Sequence, residues 1–397
     1  IMACGTGKTF TALRLAEQYA ENNGGRARVL FLVPSISLLS QTLKEWTAQN
    51  QEHLPLKSYA VCSDTKVSKK AEDIASYDLE VPVSTNGKDI AERTAQGKRR
   101  KGLNVVFSTY QSIKAIHEAQ TLGMDDFDLV ICDEAHRTTG VTLAGEDASN
   151  FVRIHDADYI KANKRLYMTA TPRLFDDTVK GKAEEHSAEL ASMDDEAIYG
   201  PEFYRLGFGE AVDKGLLTDY KVLVMTVEED IAADVLAANP TNEINLTTAS
   251  AMIGAWNGLA KRSGAEQDTK SGFEANAQPM RRTVAFAKDI KASKTIQETF
   301  PTLIRQYQEQ LKDHAASNDV SMLNIDLQVA VEHVDGTMNA LERGNKISWL
   351  ESSIPEDETR ILTNARCLSE GVDVPALDSV IFFHPRNSMV DVVQSVG

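Results

Sequence analysis

Residues 29–33 form a continuous apolar run closed by Pro34, the pattern of a parallel strand buried on both faces. Ahead of it, Ala12, Leu13, Ala16, Tyr19 and Ala20 recur at helical spacing after Thr9, and the stretch 22–25 (Asn-Asn-Gly-Gly) stops that helix. Behind it, Ser37 opens a second helical pattern carrying Leu38, Leu39, Leu43 and Trp46. Short apolar runs at 105–107, 129–132 and 166–168 read as further buried strands. A second series follows, with strands expected over 222–227, 283–287, 329–334, 360–363 and 379–383. Strands alternating with helices imply α/β lobes built on doubly wound parallel sheets, whose ligands bind beyond the carboxyl ends of the strands. Between the runs, residues 60–102 are polar and read as an insertion with one helix over 88–100. Residues 176–200 are acidic and read as a surface excursion, and a helix is expected near 251–259.

Length changes this picture by demanding two cores: 397 residues exceed one ordinary domain. The division expected is a first lobe over 1–200, a connector over 201–220 and a second lobe over 221–397. An apolar content of 42% with 25% charged residues describes a globular chain. No apolar run reaches the ~20 residues of a membrane span, and no leader pattern is visible, so a cytoplasmic location without membrane partners is expected. The four cysteines lie far apart with no C-x-x-C pair, which argues against a disulfide framework or zinc. A net charge of −16 argues against a chain coated in nucleic acid, although a narrow basic track on an acidic body still binds phosphates. The basic run 98–101 and the acidic groups at 125–128 and 194–196 read as solvated surface. The chain opens inside one motif and stops inside another, so an excerpt of a longer polypeptide is expected.

Three constellations carry chemistry. Residues 1–9 (I-M-A-C-G-T-G-K-T) form a phosphate-binding loop running into a helix. Cys4, Gly5, Thr6 and Gly7 curl so that amides face phosphate oxygens, Lys8 reaches the β- and γ-phosphates, and Thr9 can ligate Mg²⁺. Met2 stands where the usual form of this loop has glycine. The run 129–132 delivers Asp133, Glu134, Ala135 and His136 to a sheet edge. Asp133 can hold Mg²⁺, Glu134 can orient and deprotonate a water, and His136 can touch the γ-phosphate side or a neighbouring motif. Thr169-Ala170-Thr171 before Pro172 supplies small hydroxyls able to bond those carboxylates and sense hydrolysis.

On these motifs the chain resembles a superfamily 2 helicase or translocase motor of the DEAH-box kind. That family has two RecA-like lobes, with the nucleotide site in the cleft between them. The resemblance extends to Val33-Pro34-Ser35, Ser108-Thr109-Tyr110, Val284-Ala285-Phe286 and residues 333–336. It continues through residues 363–366 and 369–375, and a final motif begins at Gln394 and breaks off at Gly397. It implies ATP and Mg²⁺ as cofactors, Gly371 and Asp373 as further nucleotide contacts, and Ser35, Thr109 and Thr363 as contacts to a nucleic-acid backbone. Those three hydroxyls could equally cap helices. Residues 199–220, with Tyr199-Gly200 and Gly215-Leu216-Leu217-Thr218-Asp219-Tyr220, resemble the lobe junction of type I, type III and single-chain type ISP restriction motors. That narrower likeness implies a motor moving on double-stranded DNA in a restriction or phage-defence enzyme, with nuclease and methyltransferase modules outside this stretch. An RNA or single-strand helicase, and a nucleotide switch with no track, are the alternatives. The family's final motif continues into arginines that stabilise phosphoryl transfer, and none follows Gly397. An ATPase assay of this stretch is expected to run slower than one of a longer chain carrying them. Such arginines are worth about 10³–10⁵ in rate, and equal rates would refute the expectation.

Overall fold

The computed structural model describes residues 1–62, 84–95, 101–142, 148–185, 188–224, 227, 229–237, 244–262, 278–315, 323–338, 340–365, 368 and 377–385. The chain divides into two compact units, Ile1–Asp219 and Tyr220–Val396.

The first unit is built on strands β1 (Arg26–Val33), β2 (Leu56–Val61), β3 (Gly102–Thr109), β4 (Phe127–Cys132) and β6 (Ala162–Tyr167). They form one parallel sheet in the order β2-β3-β1-β4-β6. The apolar run of β1 alternates between two cores. Val29, Phe31 and Val33 face helices α1 (Lys8–Asn22) and α2 (Ile36–Gln49), where they meet Ala12, Leu13, Ala16, Leu39 and Trp46. Leu30 and Leu32 face the opposite core with Tyr110, Ile113 and Ile116, the last two from α4 (Ile113–Thr121). That double burial is why the run contains no polar break. Helix α3 (Gly87–Ala95) packs on the same side through Ile90 and Ala91. Strands β5 (Gly140–Thr142) and β7 (Glu189–Ala191) pair antiparallel, with α5 (Asp177–Glu185), α6 (Glu196–Tyr199) and α7 (Phe208–Asp213) in the later part of the unit.

The second unit holds β8 (Arg282–Phe286), β9 (Gln328–His333), β10 (Glu358–Asn364) and β11 (Ser379–Phe382) in the parallel order β11-β8-β10-β9. Helices α8 (Glu229–Ala237), α9 (Leu246–Leu259) and α10 (Ile290–Ala315) cover one face, centred on Trp256, Phe300 and Ile361. Leu350 of α11 (Ala340–Glu351) joins Val284, Phe286 and Leu362 on the other. At the carboxyl ends of β9 and β10 a buried polar chain replaces apolar packing. The Ser293 hydroxyl lies 2.7 Å from His333 Nδ1 and 3.1 Å from the Thr363 hydroxyl, and His333 Nε2 lies 2.8 Å from Asp335 Oδ2. Asp335 also accepts from the Thr337 amide (2.8 Å) and hydroxyl (2.5 Å). Burial pushes its carboxyl up, but these donors outweigh it and hold Asp335 well below the usual carboxylate range.

Several expectations are corrected. Strand β2 occupies part of the stretch read as irregular, because Tyr59, Ala60 and Val61 supply enough apolar surface to extend the sheet. The strand expected over 222–227 does not form in its described part. Residues 221–224 pair with no strand among the described residues, and Val222 and Val224 stay exposed. Asp125 and Asp128 are not merely solvated. Asp125 pairs with the Arg28 guanidinium (3.0 Å) and Asp128 accepts from the Arg28 amide (2.7 Å), which pins the start of β1. Helix α3 is described only to Ala95, and Lys98, Arg99 and Arg100 of the basic run lie outside the described residues.

Trp46 sits edge-on to both Phe31 and Phe107, with centroids 5.2 and 5.5 Å away, and its indole N–H donates to the Thr9 carbonyl (3.1 Å). Trp46→Ala is expected to cost about 3–5 kcal/mol in denaturant unfolding of the first unit. Trp46→Phe should cost less while leaving the Thr9 carbonyl without this donor. For Asp335, a depressed folded pKa means stability that is complete above the unfolded value of about 3.9 and is lost as pH falls toward the folded one. Acid titration of unfolding should show this loss in the second unit and not in Asp335→Asn.

Candidate functional site

The loop at residues 1–9 is shaped by two glycines in the left-handed region, Gly5 at φ 72° and Gly7 at φ 84°. At Gly7 an added Cβ would meet nothing within 4 Å, so backbone conformation and not space demands glycine there. Gly7 caps α1 without a side-chain acceptor, so amides of the first turn are left for an anion. The Thr6 hydroxyl donates to the Ala3 carbonyl (2.6 Å), and the Lys8 ammonium turns back to the Met2 carbonyl (3.5 Å). Met2 itself is held from two sides. Its amide donates to Thr169 O (3.0 Å), while it bridges in parallel to Leu206, whose carbonyl accepts from Ala3 N (2.9 Å). Residue 206 was read from sequence only as part of a connector.

The acid pair stands one step beyond β4. Asp133 N donates to Leu32 O of β1 (2.9 Å), and the buried Tyr110 hydroxyl donates to Asp133 O (2.8 Å), fixing the backbone from both sides. Glu134 takes a left-handed conformation (φ 48°), rare for a residue with a side chain. Its amide then donates to Asp133 Oδ1 (3.0 Å). Burial raises the Asp133 pKa well above the usual range, the Glu134 charge raises it further, and Lys8 opposes both. Burial likewise raises the Cys4 thiol, with Lys8, Glu134 and Asp133 all acting on it. Loop and acid pair therefore share one electrostatic neighbourhood, which joins Cys4, Lys8, Asp133 and Glu134.

His136 Nδ1 lies 3.1 Å from the Thr169 hydroxyl and 3.3 Å from Glu134 Oε2. The Thr169 hydroxyl donates to Thr171 O (3.1 Å) and accepts from Thr171 N (3.2 Å). Carboxylate and Thr169 oxygen can then only accept, so the ring proton sits on His136 Nδ1. Thr171 Oγ1 is buried with no hydrogen-bond partner among the described residues.

The donor set fits a magnesium triphosphate. Curled amides and a lysine suit phosphate oxygens, and an acid pair whose Asp133 is buried suits a hard cation. Among the described residues no cluster of three or more His, Cys, Asp or Glu could hold a metal alone, and Mg²⁺ in nucleotide sites characteristically takes only one or two carboxylates, with phosphates and waters completing its shell.

The other sequence candidates are placed as follows. Ser35 caps α2, its hydroxyl accepting from Leu38 N (3.3 Å). The Thr109 hydroxyl donates to Ser112 (3.1 Å), and Thr363 is wholly buried against Ser293. Gly371, Asp373 and the stretch 394–397 lie outside the described residues. Sequence reasoning backed no histidine besides His136, yet His155 and His333 each bridge buried polar groups. Their signal was faint, since a single histidine beside apolar residues has no spacing to read. Among the described residues no helix is long and apolar enough to cross a membrane.

Comparison with known proteins bears on this geometry. The family described as "Type III restriction enzyme, res subunit" matches residues 1–174, and "Helicase conserved C-terminal domain" matches residues 302–397. The structure of the "ATP-dependent Type ISP restriction-modification enzyme LlaBIII bound to DNA" is similar over 100% of this chain and 25% of that one, with 39% identity and a TM-score of 0.80. A nuclease-deletion mutant of the type ISP enzyme LlaGI, in complex with a DNA substrate mimic, gives 34% identity and a TM-score of 0.63, covering 100% of this chain and 24% of that one. The African swine fever virus (strain Badajoz 1971 Vero-adapted) protein named "Probable helicase A859L" is 27% identical over 396 residues, 100% of this chain and 36% of the viral protein. The chain thus spans about a third of the viral relative and a quarter of the type ISP enzymes. With these two families matching its two ends and the LlaBIII likeness running its whole length, the chain resembles the superfamily 2 helicase motors of restriction enzymes.

Proposed function

We propose that this chain couples ATP hydrolysis to movement along double-stranded DNA, as the motor of a restriction or phage-defence enzyme. The observation that carries the reading is the shared neighbourhood of Lys8 and the Asp133–Glu134 pair in a unit that is similar throughout to a DNA-bound type ISP enzyme. In this reading the amides of Gly5, Thr6 and Gly7 bind phosphate oxygens and Lys8 neutralises the β- and γ-phosphates. Thr9 and Asp133 would hold Mg²⁺, which supplies charge neutralisation at the transferring phosphoryl group. Glu134, set by its left-handed backbone, orients the attacking water and takes its proton. His136 joins Glu134 to Thr169, which itself bonds Thr171, so a change at the acids reaches the residue whose carbonyl bonds Met2. Ser35 and Thr109 are the candidates for the DNA backbone. Thr363, whose hydroxyl is buried, would act by ordering Asn364 and the residues after it.

The name of the viral relative favours a second reading, strand separation. Duplex DNA is expected to stimulate ATP turnover by the chain where RNA does not. Stimulation by single strands together with unwinding of a tailed duplex would favour the second reading. Glu134→Gln is expected to lower kcat by about 10²–10⁴-fold with nucleotide affinity retained, whereas Lys8→Ala should lose nucleotide binding. Duplex-independent turnover that survives Glu134→Gln would overturn the proposal.

A further inference from the structure

Behind the D-E-A-H turn lies a polar and aromatic cluster that the site chemistry does not use. The turn is a short 3-10 helix, Ala135–Thr138, ending on the fully buried Thr138. The Thr138 hydroxyl donates to Ala135 O (2.8 Å), so its single proton is committed. The Tyr199 hydroxyl, 3.0 Å away, must therefore donate to Thr138 Oγ1. The Thr138 carbonyl can only accept, so His155 Nε2, 3.0 Å away, carries a proton. A neutral His155 then presents Nδ1 as an acceptor to the Tyr167 hydroxyl at 2.9 Å. The rings also pack. His155 lies edge-on to Tyr199 with centroids 4.8 Å apart, and Tyr199 edge-on to Tyr167 at 4.9 Å. Every donor in this cluster has one acceptor, so the arrangement is directional and specifies one geometry.

Its two ends meet the phosphate loop by separate routes. Tyr167 ends β6 and leads through Met168 to Thr169, whose carbonyl holds Met2 N. Tyr199 is the last residue of α6, and Gly200 follows in a left-handed conformation (φ 72°) that turns the chain. The chain then reaches Leu206, which brackets the same residues from the other side: Leu206 N donates to Ile1 O (2.8 Å) and Ala3 N to Leu206 O (2.9 Å). The residues feeding the phosphate loop are thus held between two segments that are both tied to Thr138.

We propose that His155, Tyr167 and Tyr199 are positioning residues that transmit the state of the D-E-A-H turn to the segment 200–206, and through it to the phosphate loop. The inference rests on the proposed function for the identity of the ligand at that loop. None of the three touches nucleotide or reacting atoms. They act through Thr138 and Leu206, and only a coupling measurement separates that role from packing.

The test is amide hydrogen exchange on the chain with and without ATPγS and Mg²⁺. In wild type, nucleotide is expected to slow exchange at Ala3 and across 200–206 as well as in the loop itself. In Tyr199→Phe, which keeps the ring, and in His155→Leu, the nucleotide-dependent change at 200–206 should shrink by about 3–10-fold, the effect of one lost neutral hydrogen bond. Slowing at Gly7 and Lys8 should persist. His155→Gln, whose amide can donate to Thr138 O and accept from Tyr167, should restore the change. Duplex-stimulated kcat should fall in Tyr199→Phe with the KM for ATP unchanged. A purely structural role would instead raise exchange throughout β1, β3 and β4 without nucleotide. That outcome, or an undiminished response at 200–206 in both variants, overturns the inference. A wild-type chain that shows no nucleotide response at Gly7 and Lys8 overturns the proposed function and this inference with it.

Discussion

Two carboxylates placed side by side at the end of a buried strand are costly to hold, and much of the first unit can be understood from how they are held. Removing charge from water is penalised unless partners compensate, and Asp133 shows the strain as a raised pKa. What keeps the pair in place is mainly backbone, with the Tyr110 hydroxyl and the His136 ring added to it. β4 is hydrogen-bonded on one side to β1 and on the other to β6, with Cys132 in register with Leu32 and Tyr167. The first residue past that register, Asp133, still donates to Leu32 O, and Tyr110 holds its carbonyl. Only then does the chain turn, at Glu134, through a conformation that side chains rarely adopt. The sheet supplies the rigidity that makes such a turn affordable.

The same rigidity explains why Lys8 lies close enough to act on the charge of Asp133. Helix α1 packs through Ala12, Leu13, Ala16 and Ala20 against the face of the sheet made by Val29 and Phe31. Small residues let the helix lie close, and its first turn is then fixed by Trp46 reaching the Thr9 carbonyl from α2. A change in Trp46 therefore alters both the core and the angle at which the loop presents its amides. Stability and site geometry are one problem in this unit.

How much of this could be read beforehand followed from burial. Strands β1, β3 and β4 carry apolar runs because both faces are covered, and those runs announce them. The loop and the acid pair were legible because phosphate and Mg²⁺ chemistry demands particular residues in adjacent positions. Strand β2 was not, since Lys57 and Ser58 interrupt its pattern and its partner Leu103 lies far along the chain. The run at 222–224 misled for the opposite reason: apolar β-branched residues lack a ladder among the described residues. The relation of Thr138 and His155 to Tyr199 has no trace in the sequence, because it is made by folding alone. They come from three segments and share no spacing.

The second unit sharpens the meaning of the acid pair by contrast. It too carries an aspartate just past a parallel strand, Asp335 after β9. There every demand of the carboxylate is met from within. Thr337 donates twice, His333 lies at 2.8 Å, and Lys294 lies 3.6 Å away. Its pKa is pulled down where that of Asp133 is pushed up. A carboxylate already satisfied by its own neighbours gains little from a further cation. One held beside a second negative charge gains a great deal, since the cation removes both the repulsion and part of the desolvation penalty. Similar topology thus yields an aspartate satisfied by its own neighbours in one unit and one with a raised pKa in the other. The difference is carried by the residue that follows: Gly336 adds no charge beside Asp335, and Glu134 adds one beside Asp133.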